Sequence, residues 1–137
     1  METPAADKNE IRAVLDRFAA GWRNANADQL IGTWSKEHAG LYLASEKPAP
    51  IHGYAEIFQY YKEALALYPI TKMEIRDVAI EVFGDVASAF CNIDIGFKVG
   101  ETEYVVFPRA TFLLRREGIE WSCIQYHESI KYEVPQP

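Results

Sequence analysis

Four long β-forming runs fill the second half of the chain, and almost nothing separates them. They cover about Lys72 to Phe83, Val86 to Val99, Glu103 to Arg115 and Glu120 to Tyr132. Between them stand Gly84-Asp85, Gly100-Glu101 and Glu117-Gly118, residue pairs suited to tight turns. Long strands joined this closely pair antiparallel, as a meander that twists and curves.

The first half supplies the cover for such a sheet. Ile11, Val14, Leu15, Phe18, Ala19 and Trp22 recur at three- and four-residue steps, so they share one helical face. Asp7 is expected to cap this helix, with Glu10 three residues on completing a capping box. Asn24-Ala25-Asn26 ends it, and Asp28 is expected to cap a short second helix through Leu30, Ile31 and Trp34. A short strand follows at about Gly40 to Ser45. The segment Glu46 to Gly53 holds two prolines and a glycine and reads as a loop. A third helix runs from Tyr54 to Leu67 and stops before Pro69. The tail, Val134 to Pro137, is expected to be loose. Helices that precede a curved antiparallel sheet make an α+β fold, and one such architecture is a cone with a pocket at its open end. One domain is expected over residues 1–137, with its ordered core at about 7–132.

Composition excludes several function classes. A net charge of −6 argues against a nucleic-acid partner. No apolar run is long enough to span a membrane, and the polar start METPAADKNE does not read as a signal peptide. Cys91 and Cys123 sit in apolar runs and read as buried free thiols, a disulfide being the alternative. A cytoplasmic setting is expected. His38, His52 and His127 lack ligand spacing, so no metal is expected. Neither a Gly-rich phosphate loop nor a nucleophile elbow occurs, and no cofactor is expected.

The stretch WSCIQYHES, Trp121 to Ser129, carries the chemistry. Strand alternation places Gln125, His127 and Ser129 on the side of Trp121 and Cys123. A three-residue loop at Glu117 to Ile119 would set Leu113 opposite Cys123, Thr111 opposite Gln125 and Arg109 opposite His127. Arg109, Thr111, Gln125 and His127 then form one polar patch. Arg109 has the planar donors for a carboxylate, and His127 can move a proton near neutral pH. Equally, Arg109 can pair with Glu103 or Glu128, and a lone His is often structural. Asp94, beside Asn92, is a second candidate base if it faces a pocket; facing solvent or an interface it carries no chemistry. Trp22, Trp34, Tyr42, Phe58, Tyr61, Tyr104 and Phe107 are candidates to line an apolar cavity, or ordinary core.

The segment RATFLLRREGIEWSCIQYHES, Arg109 to Ser129, resembles the SnoaL-like group of the nuclear transport factor two-like superfamily. It is most similar to the branch containing the association domain of calcium/calmodulin-dependent protein kinase two. Arg109, Thr111, Gly118, Trp121, His127 and Ser129 carry the resemblance, with Gly53 and Ala87. It implies the cone fold and a homodimer formed through the sheet. The general-base Asp of the superfamily's ketosteroid isomerases has no counterpart in GLYLASEKP, and their helix-one tyrosine has none among Phe18, Ala20 and Trp22.

Three functions remain open on these residues. The first is a small-molecule-binding protein whose ligand is an organic molecule such as a carboxylate. The second is an isomerase or lyase using His127 or Asp94 as base. The third is a self-association domain without a ligand.

Overall fold

The computed structural model describes residues 4–133 and Pro135. The expected loose tail at 134–137 therefore lies outside the described residues, apart from Pro135. Helix α1 spans Pro4–Arg23 and helix α2 spans Ala27–Ile31. Strands β1 (Leu41–Leu43) and β2 (Ile51–His52) precede helix α3 (Tyr54–Leu67). Five strands follow: β3 (Ile70–Phe83), β4 (Val86–Val99), β5 (Thr102–Val106), β6 (Arg109–Glu117) and β7 (Glu120–Ser129).

The helix starts differ from expectation in two places. α1 begins at Pro4, so Asp7 lies inside its first turn, and Pro is well suited to a first turn because its missing N–H needs no partner there. Asp7 is buried, and its carboxylate meets the Arg116 guanidinium at 2.8 Å. The cap of α2 is Asn26 rather than Asp28; its side chain accepts from the Gln29 N–H at 3.0 Å. The two helices lie close enough that a Cβ on Gly21 would come within 2.8 Å of the Leu30 side chain.

The sheet runs in the order β2-β1-β7-β6-β4-β3, with β5 paired to β4. The meander β3-β4-β6-β7 is antiparallel as expected, and β1 adds to β7 in parallel. The run expected at Glu103 to Arg115 is two strands, broken at Phe107-Pro108. Proline lacks the N–H a continuous ladder needs. β6 therefore pairs with Val86 to Asn92 of β4, and β5 with Ile95 to Val99 of the same strand. The segment expected to be only loop, Glu46 to Gly53, contains β2.

The apolar face of α1 packs into the curved sheet. Phe18 meets Phe112 edge-on at 5.0 Å and lies 5.4 Å from Tyr126. Ile11, Leu15, Ile57, Ile93 and Leu114 complete a fully buried centre. Both cysteines are buried and free. No helix among the described residues is long and apolar enough to cross a membrane. Among the described residues no helix covers the opposite face of the sheet, where Phe83, Val86 and Phe90 are exposed.

Candidate functional site

The geometry is decided on β7. The β6–β7 hairpin closes on two residues, Gly118 and Ile119, with Glu117 opposite Glu120. Gly118 has φ 67°, the left-handed value that the first central position of a type II′ turn requires. The expected three-residue loop is thus one residue too long. Further along, Leu114 faces Cys123 while Leu113 faces Gln125, so Ile124 is an extra residue, a β-bulge.

The bulge changes which side chains share a face. Trp121 and Cys123 point into the core, and beyond Ile124 it is Tyr126 that is buried. Gln125, His127 and Ser129 turn to the outer face, away from Trp121 and Cys123. The expected pairings move as well: Arg109 lies opposite Ser129, and Thr111 opposite His127. Two one-residue shifts, one at the turn and one at the bulge, cancel in parity. Arg109, Thr111, Gln125 and His127 therefore still share one face, but it is the outer one.

On that face Arg109, Thr111, His127 and Ser129 border a recess with Phe90. Asp94 is on the same side. It accepts from Arg76 Nε at 3.1 Å, and Arg76 also meets Asp77 at 2.7 Å. Asn92 donates to Asp77 at 3.0 Å, a bond that, with the Arg76 charge, draws the Asp77 carboxyl below its usual range. Asp94 is thus engaged by a guanidinium. Among the described residues, no group of His, Cys, Asp and Glu is arranged to hold a metal ion.

A different set of residues surrounds the interior of the cone. Between the helices and the sheet lies a cavity of about 330 Å³. Phe18, Trp22, Tyr42, Tyr60 and Tyr126 form its aromatic wall. Met73, Ile95, Phe97 and Val106 form the sheet wall. Tyr42 stacks on Tyr126 with ring centroids 4.5 Å apart. Of the seven aromatics singled out from the sequence, Trp22 and Tyr42 line the cavity. Trp34 and Tyr61 stand behind it, where Trp34 Nε1 donates to the Tyr61 hydroxyl at 2.8 Å.

Two carboxylates give the cavity its polarity. Glu128 accepts from the Tyr126 hydroxyl at 2.6 Å on one oxygen. Its other oxygen accepts from the Ser45 hydroxyl at 2.6 Å and the Ser45 N–H at 3.2 Å. Glu46 accepts from the Tyr60 hydroxyl at 2.6 Å. Burial raises the hydroxyl pKa of Tyr42, Tyr61 and Tyr126 well above the ordinary value. Tyr60 is raised too, by burial first and then by its bond to Glu46. All four stay protonated donors through neutral pH. Sequence reading passes over Ser45, Glu46, Tyr60 and Tyr126, and gives Glu128 only as a partner for Arg109. One signal was present: Trp121, Cys123 and Tyr126 are bulky residues spaced by two and then three, which is the trace of a bulge.

A family profile described as a SnoaL-like domain matches residues 11–133. No curated protein matches the chain by sequence. Among solved structures, a candidate dehydratase of the nuclear transport factor two-like family from Streptomyces avermitilis aligns at TM-score 0.87 and 18% identity, covering 96% of this chain and 100% of that one. A ketosteroid isomerase-like protein from Erwinia carotovora atroseptica aligns at 0.77 and 17% identity, over 91% of this chain and 96% of that one. A candidate calcium/calmodulin-dependent protein kinase II association domain from Xanthomonas campestris aligns at 0.73 and 18% identity, over 97% and 91%.

Proposed function

The chain belongs to the SnoaL-like domain family, and from that premise we propose that it binds a small, mostly apolar molecule inside the cone. One observation carries the reading: a cavity of about 330 Å³ walled by aromatic rings, with its carboxylates held by tyrosine and serine donors. Apolar walls with a few fixed polar groups are the usual make-up of a small-molecule site. The sequence pointed to a carboxylate ligand through Arg109, whose place on the outer face separates it from this cavity. Thermal shift against apolar ketones and aromatic amines tests the reading. A ligand at a hundredfold excess over its Kd should stabilise the fold by about 2.7 kcal/mol. Filling the cavity by Met73→Trp should abolish the shift. A shift that survives in this variant would place binding elsewhere.

Acid/base chemistry in the same cavity is a second reading. It is favoured by Glu46, which is exposed and accepts from the Tyr60 hydroxyl. A carboxylate beside a protonated tyrosine is a base next to an acid, the pairing an isomerase or a lyase requires. Asp94 and His127, the bases expected from sequence, would need a substrate on the outer face. Turnover lost in Glu46→Gln but retained in His127→Ala would support the enzyme; binding without turnover in the wild type would leave the binding protein.

We also propose a homodimer through the uncovered sheet face. Phe83, Val86 and Phe90 are exposed on it, an apolar strip flanked by charges. Phe90→Asp should convert a dimer seen by light scattering to a monomer; a wild type that is monomeric at micromolar concentration would rule it out. The two buried free thiols support a reducing, cytoplasmic setting.

A further inference from the structure

We propose that the molecule held in the cone carries a positive nitrogen, a protonated amine or a quaternary ammonium on an apolar body, seated against Glu46, Glu128 and the tyrosine rings. The inference rests on the cavity reading above and names the class of ligand that cavity would take.

The polar groups in the wall are unequal. Three donors beside the carboxylates are already spent: Tyr60 on Glu46, Tyr126 and Ser45 on Glu128. At that end of the cavity they leave a ligand acceptor lone pairs and negative charge. Among the described residues no lysine or arginine lines the cavity. An anionic ligand would meet two carboxylates with no counter-charge, a repulsion strengthened by the low dielectric of an apolar wall. A neutral ligand would leave both carboxylates with only their tyrosine and serine donors as it displaced water from them. A cation satisfies them.

The rings agree with the carboxylates. Tyr42, Tyr60 and Tyr126 are near neighbours, with Tyr42 lying 5.0 Å from Tyr60 and 4.5 Å from Tyr126 between centroids. Ser45, which donates to Glu128, is next in sequence to Glu46, so the two carboxylates lie at one end of the cavity. Faces of aromatic rings grouped around an anionic end are the arrangement that recognises ammonium ions. The protein shows the preference itself. The Lys47 ammonium sits 5.6 Å from the Tyr60 ring centroid, next in sequence to Glu46. Lys47 is exposed and stands outside the cavity wall, where it leaves the inner carboxylate, Glu128, to the ligand.

Calorimetric titration with three probes of similar shape decides the matter: benzyltrimethylammonium, its neutral isostere neopentylbenzene, and 3-phenylpropionate. The ammonium should bind at least tenfold more tightly than the isostere, and the carboxylate more weakly than either. Glu128→Gln, and separately Glu46→Gln, should lower that ratio severalfold while leaving the isostere's affinity unchanged. Lys47→Ala should leave ammonium binding equal or stronger. Met73→Trp, or Ala64→Phe should the first not fold, should remove both, which locates the site. Equal affinity for ammonium and isostere would overturn the charge preference and leave the cavity reading standing. So would 3-phenylpropionate binding that is lost in Lys47→Ala. Failure of all three probes to bind would overturn the cavity reading and this inference together.

Discussion

Cys123 and Tyr126 face the same side of one strand although they stand three positions apart, an odd spacing. Both are buried, at 0% and 1% exposure, and the bulge at Ile124 is what brings them into line. In a regular strand of the same sequence Tyr126 would point outward and Glu128 would leave the cavity. Insertion of one alanine after Ile124 should therefore exchange the two faces beyond it, driving Gln125, His127 and Ser129 against Phe18 and Phe112, whereas deletion of Ile124 should only make the strand regular and keep its faces. The expected outcome of the insertion is loss of the folded state, read as loss of near-ultraviolet circular dichroism at 25 °C. The point substitution Ile124→Ala keeps the bulge and should keep the cooperative transition.

Arg116 ties the start of the chain to its final hairpin. Its guanidinium meets Asp7 at 2.8 Å and Asp85 at 3.4 Å, and lies 4.6 Å over the Trp121 ring. Asp7 is nearly buried, so removing the guanidinium strands a carboxylate. Arg116→Leu should cost about 2–3 kcal/mol, because an unpaired buried charge is worse than no charge at all. The double variant Asp7→Leu with Arg116→Leu should lose less than the sum of the single changes. Urea midpoints of the four proteins measure the difference, and strict additivity would count against the pairing.

Alkaline pH should expose the buried titratable groups in one step. Burial pushes the Cys91 and Cys123 thiols up to about 12 from an ordinary 9.0. Tyr42, Tyr60, Tyr61 and Tyr126 are raised in the same direction. A raised folded-state pKa means that the unfolded chain gives up its protons first. The contribution of these groups to stability is then intact below about pH 9 and falls as the pH climbs toward 12. Tyrosine absorbance at 295 nm should show a fraction of the rings ionising only with unfolding, and neither thiol should react with iodoacetamide at pH 8 until the protein unfolds. Prompt modification of either cysteine in the folded protein would contradict its burial.

The elements that sequence made legible are those whose signal is local. Helix α3 ends where Pro69 demands, and β4 spans the run read from its composition. Pro108 was equally visible, yet it was read through, because the residues on both sides favour strand. The site was less legible for a geometric reason. Which face a strand residue occupies depends on every turn and bulge between it and the core. Here a two-residue turn and one extra residue reversed the sides twice, so the grouping of Arg109 with Thr111 and His127 survived while the face it was expected to share with Trp121 did not. Glu46 and Glu128 were invisible as a pair, since 82 positions separate them in sequence and the contact through Ser45 exists only after β1 has added to β7.

The break at Pro108 divides the labour of the long strand β4. Its first half is clamped between β3 and β6, whereas its second half carries β5, which is hydrogen-bonded to no other strand among the described residues. Val106 and Val99, on this outlying ribbon, bound the cavity. This strip of the cavity wall is thus hung from a single ladder, and it can part from the rest at the cost of five residue pairs while the main sheet stays closed. Amides of Thr102 to Val106 should exchange with deuterium well before those of Val86 to Cys91, and a bound ligand should slow the first group and leave the second untouched. The cone would then need no separate lid, because one strip of its own wall would serve as a door.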